Sequence, residues 1–225
     1  GLSGIQVNGL NTIIGGDDDD DGLLDGQVQS RNVISGNTTQ GINIGHSGSA
    51  RNTIVRGNYI GTNRQGDAAV PNAFGGVVVG SAPGTYIGGN TPGAGNLVSG
   101  NASTGISVVQ ISYPTIGGLY NAVIQGNVVG LNANGDAALH NSIGIGVSAA
   151  YNLIGGPAAN EGNVVSGNST GSGIVLGNTT AFQNTIVGNY IGTNPLGSVA
   201  QGNSQGIEIR TGAHDNVIGG ALAGY

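Results

Sequence analysis

Four residue types are missing from this chain of 225 residues: cysteine, methionine, tryptophan and lysine. Without cysteine, a disulfide framework is excluded. Charged residues form only 7% of the sequence, and five arginines stand against eleven acidic residues. A chain with no lysine and a net charge of −6 offers no basic surface to nucleic acid or to an anionic membrane. We therefore expect neither as a partner.

Long apolar runs are missing as well. No stretch approaches the roughly 20 apolar residues that a membrane-spanning helix requires, and no charged segment followed by an apolar one stands at Gly1. We expect a soluble chain with no membrane insertion. A helical repeat is also excluded, because no segment has an apolar stripe of helical period and the 47 glycines interrupt every few positions.

The sequence does contain a repeat of glycine, an aliphatic residue, any residue and a second aliphatic residue. It returns about every 33 residues, with alternate residues apolar as in a β-strand. The copies begin at Gly4, Gly41, Gly76, Gly105, Gly144, Gly173 and Gly206. A short strand that returns at this interval is typical of the stacked coils of a solenoid.

Two further patterns accompany this repeat. One places two asparagines five residues apart around an aliphatic residue, in the pairs Asn32 and Asn37, Asn58 and Asn63, Asn96 and Asn101, Asn127 and Asn132, Asn163 and Asn168, and Asn189 and Asn194. The other reads N-x-I or a close variant, centred on Ile13, Ile54, Ile87, Val123, Ile154, Ile186 and Ile218. Each coil therefore carries three short strands, parallel to their copies in the next coil.

Because crossovers between parallel strands are almost always right-handed, the sequence predicts an all-β fold, a right-handed parallel β-helix of about seven three-strand coils. We expect Ile34, Ile42, Ile44 and Ile54 to point inward, with their equivalents in every coil. We expect the corner asparagines to hydrogen-bond to their counterparts in the coils above and below.

The coils alternate between a short form, which begins at Asn32, Asn96 and Asn163, and a long form with an inserted loop, which begins at Asn58, Asn127 and Asn189. With its G-N-Y-I-G-T-N, I-G-G and S-G-N motifs followed by G-I-x-I, the chain resembles the parallel β-helix repeats of large secreted or cell-surface bacterial proteins, in the broad pectate-lyase-like superfold. The resemblance implies the fold and an extracellular or cell-surface location. It implies no single activity, because that superfold includes lyases, hydrolases, epimerases, adhesins and phage spikes.

The repeat begins and ends out of phase. Gly4 enters it without a preceding asparagine strand, and the segment that ends at Gly220 stops where another short coil is expected. Neither end shows the polar cap that an open solenoid needs. We expect residues 1–225 to form one β-helix segment of a longer array, and the alternative is end-to-end stacking of separate chains into a filament.

The strongest chemical feature is an acidic loop insertion at residues 17–28. Its pattern D-x-D-x-D-G-x-x-D is similar to calcium loops of the EF-hand, dockerin and thrombospondin type 3 kinds, in which acids and one backbone carbonyl converge on the ion. The matching residues are Asp17, Asp19, Asp21, Asp25 and, through its carbonyl, Leu23. Val28 stands where a bidentate acid is expected. The sequence predicts bound calcium, and the alternative is a solvated acidic turn.

No catalytic constellation stands out. The outward residues of the glycine-aliphatic repeat are Gln6, Asn43, Val78, Ser107, Gly146, Val175 and Glu208, which include one acid and no base. Lyases of this superfold need calcium-binding acids beside a base, and the hydrolases need about three neighbouring aspartates. Asp67 and Asp136 are expected to be turn residues that bond their own backbone. His46, His140 and His214 are expected on surface loops.

An outward apolar stripe is predicted beside the first asparagine of each pair, at Val33, Tyr59, Leu97, Val128, Val164 and Tyr190. Such a stripe could pack against a neighbouring rod, a sugar or another domain, unless the corner geometry buries it. Four of the five arginines, Arg31, Arg51, Arg56 and Arg64, lie in the first two coils, where they could meet a carboxylated glycan or the acidic loop, although a solvated role is the simpler expectation.

These observations predict a structural or adhesive extracellular β-helix segment with a calcium-binding loop. The expected partners are other β-helix segments or surface glycans, with lateral or end-to-end self-association. The alternative is a polysaccharide-binding or polysaccharide-degrading β-helix whose active site is incomplete or outside this chain. A self-associating filament subunit is a lesser alternative. The sequence thus favours a non-enzymatic role without excluding an enzyme.

Overall fold

The computed structural model describes residues 3–20, 22–46, 50–109 and 121–220. Within these ranges the regular elements are β-strands: β1 (Ile5–Val7), β2 (Ile13–Ile14), β3 (Val33–Ile34), β4 (Ile42–Ile44), β5 (Ile54–Val55), β6 (Tyr59–Ile60), β7 (Val77–Val79), β8 (Thr85–Gly88), β9 (Leu97–Val98), β10 (Thr104–Val109), β11 (Ala122–Gln125), β12 (Val128–Val129), β13 (Ile143–Ser148), β14 (Leu153–Gly155), β15 (Val164–Val165), β16 (Ser172–Gly177), β17 (Thr185–Val187), β18 (Tyr190–Ile191), β19 (Gln205–Arg210) and β20 (Val217–Ile218).

Every third strand joins the same parallel sheet. The first sheet runs β1-β4-β7-β10-β13-β16-β19, the second β2-β5-β8-β11-β14-β17-β20, and the third β3-β6-β9-β12-β15-β18. The described residues thus form six complete coils and two strands of a seventh. The predicted right-handed parallel β-helix is confirmed, and so is the expectation of about seven three-strand coils.

The core is a narrow column of aliphatic side chains, one or two from each strand. Ile42 and Ile44 are fully buried in β4, and Ile34 is buried in β3, as predicted. The same positions are filled in successive coils, so that each side chain packs against its counterparts about 4.8 Å above and below. This repetition provides a continuous core although the chain is only 37% hydrophobic.

The second sheet differs from the prediction by one residue in part of its length. Ile54 is only half-buried, and the next residue, Val55, is the one in the core. The register places Ile14, Val55 and Ile87 in one column, which Ile124 continues. Predictions centred on Ile13, Ile54 and Val123 were therefore wrong by one position. Each of these sites holds two consecutive aliphatic residues, so the pattern alone does not tell which one points inward.

The first asparagine of each predicted pair forms an unbroken ladder along one corner. The side-chain amide of each asparagine donates to the Oδ1 atom of the asparagine in the next coil, over distances of 2.8 to 3.1 Å. The main-chain N–H of each residue donates to the same oxygen. This ladder consists of Asn32, Asn58, Asn96, Asn127, Asn163 and Asn189.

A second ladder lies on the other side of the third sheet, but its members are not all those predicted. It consists of Asn37, Asn72, Asn101, Asn141, Asn168 and Asn203. In the long coils the expected members Asn63, Asn132 and Asn194 were therefore wrong. The inserted loop begins at these residues, and the ladder position is reached only after the loop has returned to the corner.

A shorter ladder precedes the second sheet, where Asn152 donates to Asn184 at 2.8 Å and Asn184 to Asn216 at 2.9 Å. The long and short coils alternate as predicted. Among the residues that the structure describes, no helix is long and apolar enough to cross a membrane.

Candidate functional site

The acidic insertion is held against the body of the β-helix by an arginine. Arg56 Nη1 lies 2.8 Å from Asp17 Oδ2, and its Nη2 lies 3.3 Å from Asp20 Oδ1. The Thr91 hydroxyl donates to the same Asp17 oxygen at 2.9 Å. The loop therefore bridges the coils of β2, β5 and β8, and we call this contact the arginine clasp, formed by Asp17, Asp20, Arg56 and Thr91.

From the sequence alone, Arg56 was only one of four arginines expected near the acidic residues. A sharper signal lay in the register: β2 and β5 pair Ile14 with Val55, so the following residues Gly15 and Arg56 are also neighbours. Arg56 therefore emerges beside the start of the acidic run. The strand register is therefore the signal that identifies Arg56 as a partner of the acidic run.

Hydrogen bonds within the loop set the charge state of Asp20. The Ser30 hydroxyl donates to its carboxylate and lowers the pKa of Asp20 below the ordinary value, and the Arg56 guanidinium acts in the same direction. The main-chain N–H of Asp17 also donates to this carboxylate at 3.0 Å. Asp20 thus contacts both other residues of the loop and Arg56.

Asp18 differs from its neighbours because it is buried. Its residue is only 5% exposed, and its Oδ1 atom has no hydrogen-bond partner among the described residues. Its main-chain N–H donates to the carbonyl of Pro92 at 3.0 Å, which ties it to the turn after β8. A buried carboxylate oxygen without a donor carries a desolvation cost that a cation would relieve.

The predicted calcium ligands that the structure describes have different surroundings. Asp17 faces Arg56, Asp19 is exposed, and Asp25 accepts hydrogen bonds from the main chain and side chain of Gln27. Leu23 is exposed on the loop, and Asp21 lies outside the described residues. Among the residues that the structure covers, no three acids or histidines are placed to hold a metal ion.

The outward positions of the first sheet form a single column. Gln6 pairs with Asn43, and the register continues through Val78, Ser107, Gly146 and Val175 to Glu208. Glu208 accepts a hydrogen bond from Ser172 at 2.8 Å and pairs with Arg210 at 3.2 Å. The single acid of this face is therefore engaged by its neighbours on the last described coils.

Asp67 and Asp136 stabilise the inserted loops of the long coils. Asn63 Nδ2 donates to Asp67 Oδ1 at 2.7 Å, and the main-chain N–H of Asp67 donates to Asn63 Oδ1 at 3.1 Å. Asn132 and Asp136 repeat this geometry. We expected these aspartates to bond their own backbone, and this was wrong. Each carboxylate instead accepts a hydrogen bond from the side chain of the asparagine four residues earlier.

The histidines lie apart from one another, and all of them are exposed. His46 follows β4 and His140 ends a long loop. His214 stacks on the Phe182 ring with centroids 5.4 Å apart, and its Nδ1 lies 2.9 Å from Asp215 Oδ2. These placements agree with surface-loop roles.

The predicted apolar stripe lies in one register column on the outer face of the third sheet. Its six residues are successive rungs, from Val33 and Tyr59 through Leu97, Val128 and Val164 to Tyr190. Their exposure is uneven, since Val33 and Tyr190 are 44% and 46% exposed whereas Leu97 is 4% exposed. Loops from the two flanking corners cause this difference.

Two rows of loops stand above the stripe. On one side, the long loops form small hairpins that close through the bridges Thr62 to Ala69, Leu131 to Ala138 and Thr193 to Ala200. On the other side stand the turns that follow β2, β8 and β14, at residues 16–31, 89–95 and 156–162. We call these rows the hairpin wall and the turn wall, and the channel between them the stripe groove.

The hairpin wall is continuous because its loops contact one another. The main-chain N–H of Ala133 donates to the carbonyl of Gly66 at 2.9 Å, and Gln201 Nε2 donates to the carbonyl of Asp136 at 2.8 Å. Gly66 also lies against Leu97 and Tyr59, where an added Cβ would approach both side chains to 2.8 Å. The first hairpin therefore covers Leu97.

No family model, curated protein or solved structure matches this chain.

Proposed function

We propose that this chain is a segment of a structural or adhesive β-helix rod that acts outside the cell. One observation carries the proposal: two asparagine ladders and the aliphatic core continue from coil to coil through the described residues. Bending such a rod requires several buried hydrogen bonds and core contacts to open together, which makes it stiff. The extracellular location is inferred from the likeness of the repeat to secreted and cell-surface proteins.

Small-angle scattering and a sugar-release assay together test this proposal. Seven coils predict a compact particle whose stack of coils is about 30 Å long. Incubation with uronate and neutral polysaccharides is expected to release neither unsaturated nor reducing ends. Release by the purified chain, lost on mutation of the outward acid Glu208, would favour the enzymatic alternative instead. Light scattering across a concentration series separates a monomeric segment from a filament subunit.

Calcium in the acidic insertion is a second proposal, supported by the buried Asp18 oxygen that has no partner. The insertion holds six aspartates at residues 17–25, and Arg56 is the cation that the described residues place against it. Asp18, which the calcium-loop pattern did not include, would then supply one oxygen ligand, and Asp19 and Asp25 would have to move towards it, because the described residues hold no ready group of three acids. Calcium prefers such carboxylate ligands and tolerates irregular geometry.

A melting curve decides the calcium proposal. With calcium, the midpoint is expected to rise above its value in chelator, and this rise is expected to vanish in Asp18→Asn. Magnesium serves as the matched control, because it demands a stricter octahedral geometry. An unchanged midpoint with calcium and with chelator would remove the proposal.

A further inference from the structure

The stripe groove follows the third sheet, and the first hairpin covers its floor at Leu97. Three cavities of 500, 170 and 810 Å³ follow one another along it. Arg31 lines the first two, and Gly93, Gly95, Gly126 and Val128 line the last two. The stripe has six rungs, so the floor extends for about 24 Å at the spacing of parallel strands.

One end of the groove is cationic. Arg31 and Arg64 line the same cavity, one from the end of the turn wall and one from the first hairpin. Among the described residues, neither lies within ion-pair distance of a carboxylate, whereas Arg56 and Arg210 both have acidic partners. An unneutralised pair of arginines is notable in a chain with a net charge of −6.

Arg31 is held in place by its surroundings. The Arg31 guanidinium lies 4.2 Å from the centroid of the Tyr59 ring, and its Nε donates to the carbonyl of Gly57 at 3.2 Å. The nearby wall also contains Asp25, which accepts hydrogen bonds from the cavity residue Gln27. The cationic end of the groove therefore has an acidic residue in the neighbouring wall.

The rest of the groove is uncharged. Its floor contains Val128, Val164 and Tyr190, and its walls are mostly glycine, alanine and proline, so that main-chain atoms line the channel. Glu161 is turned into its own wall, where it accepts a hydrogen bond from the main chain of Ala158 at 3.0 Å. An occupant of this part needs apolar faces for the floor and hydroxyl groups for the walls.

We propose that the stripe groove binds an extended acidic polysaccharide, with one anionic group held between Arg31 and Arg64. The planar guanidinium groups suit bidentate contact with a carboxylate or a sulfate. Pyranose rings present C–H faces that pack on Tyr59 and Tyr190, and their hydroxyls meet the main-chain groups of the walls. This inference rests on the proposed function, because the stacked coils form the groove. It names the surface through which an adhesive segment would bind its partner.

A sugar polymer fits this groove better than a peptide or a nucleic acid does. Extended peptides gain affinity from an unpaired sheet edge, whereas the strands of this floor are paired on both sides from β6 to β15. A nucleic acid places a phosphate at every step along its length, while the cations here stand at one end only. A glycan with sparse charges matches this distribution.

Binding by the intact chain tests the proposal. Affinity would be measured by calorimetry at low salt for lightly carboxymethylated dextran, lightly sulfated dextran, neutral dextran and polyglutamate. We expect at least one of the two lightly charged dextrans to bind, with the better of the two identifying the anionic group, and neutral dextran and polyglutamate to bind at least about tenfold more weakly. Tighter binding of polyglutamate would overturn the proposal in favour of an acidic peptide, and failure of both acidic glycans would also overturn it.

Matched arginine variants locate the site. Arg31→Gln combined with Arg64→Gln is expected to weaken acidic-glycan binding about tenfold or more, while Arg51→Gln, an exposed arginine outside the groove, leaves it unchanged. Equal loss in Arg51→Gln would show attraction by charge alone and overturn the site. Scattering profiles of all variants report the rod separately, so that an intact rod without binding contradicts only the groove.

Discussion

At the scale of single residues, asparagine is the side chain that makes this solenoid specific. Asn127 donates to the carbonyls of Ile87 and Gln125 and to Asn163, and it accepts from the main chain and side chain of Asn96. An amide has both donors and an acceptor, so each asparagine can serve two neighbours and the corner backbone at once. The buried corners therefore keep their polar groups satisfied.

Replacing one ladder residue is expected to cost much more than replacing an exposed asparagine. Asn127→Ala removes the acceptor of both the buried main-chain N–H and the side-chain amide of Asn96, which predicts a loss of about 2 to 5 kcal/mol in the free energy of unfolding. Asn134→Ala, on an exposed hairpin, is expected to stay within about 0.5 kcal/mol. Urea denaturation measures both, and equal effects would contradict the role of the ladder.

Gly88 is required for a different reason. Its φ of 85° lies in the left-handed region, and a Cβ there would stand 1.9 Å from the carbonyl oxygen of Gln125. Gly88→Ala is therefore expected to lower the free energy of unfolding by at least about 2 kcal/mol. Gly202→Ala is the control, because open space surrounds that position, and a comparable loss there would contradict this reasoning.

At the scale of elements, the sequence predicted where strands form. It did not always predict which residues of neighbouring strands pair. The glycine-aliphatic repeat located the first sheet because its apolar residues alternate with others, as in Ile42 and Ile44. The second sheet was misplaced at Ile54 because Val55 is equally apolar, and only pairing with Ile87 decides between them. Likewise, Asn63 and Asn72 both suit a corner, and the length of the inserted hairpin selects the latter for the ladder.

The acidic insertion is an element whose attachment depends on pH. The pKa of Asp20 lies below its ordinary value of 3.8, because Ser30 and Arg56 favour its charged form. A depressed folded pKa contributes stability above the unfolded value, and this contribution is lost as the pH falls through the folded pKa. The insertion is therefore expected to be held firmly near neutral pH and released in acid.

Asp20→Asn tests this dependence by difference. The melting midpoint of the native chain is expected to exceed that of Asp20→Asn near neutral pH, and the two are expected to converge as the pH falls below about 3.8. A difference that persists unchanged in acid would contradict the assignment to Asp20.

At the scale of the whole molecule, the sheets join neighbouring coils and some loop contacts skip one coil, so stability is close to a sum of local terms. The sequence was enough to predict this architecture, since seven similar coils leave few other arrangements. The arginine clasp and the walls of the groove were not predicted, because they join loops of unlike sequence from coils one or two steps apart. Arg56 and Thr91 meet Asp17 only after the chain has completed further coils.

Removing a two-coil repeat is expected to leave a shorter folded rod. Deletion of residues 127–188 joins Gly126 to Asn189 and keeps the ladder in phase, so we expect a stack shorter by about 10 Å and a lower melting midpoint. Deletion of residues 127–172 joins a corner to a strand of the wrong sheet, and we expect it to unfold. Scattering and circular dichroism distinguish these outcomes. If the chain without residues 127–188 were unfolded, stability would not be a sum of local terms.

The two ladders that flank the third sheet give the molecule a direction. Each asparagine offers its amide and main-chain N–H groups to the oxygen of the following coil, from Asn32 towards Asn189 and from Asn37 towards Asn203. While a ribosome synthesises the chain, each completed coil thus exposes donors that only a correctly placed asparagine in the next coil can satisfy. The most recently folded coil therefore favours the correct register of the next one. We expect folding to proceed from the N-terminus towards the C-terminus, one coil at a time.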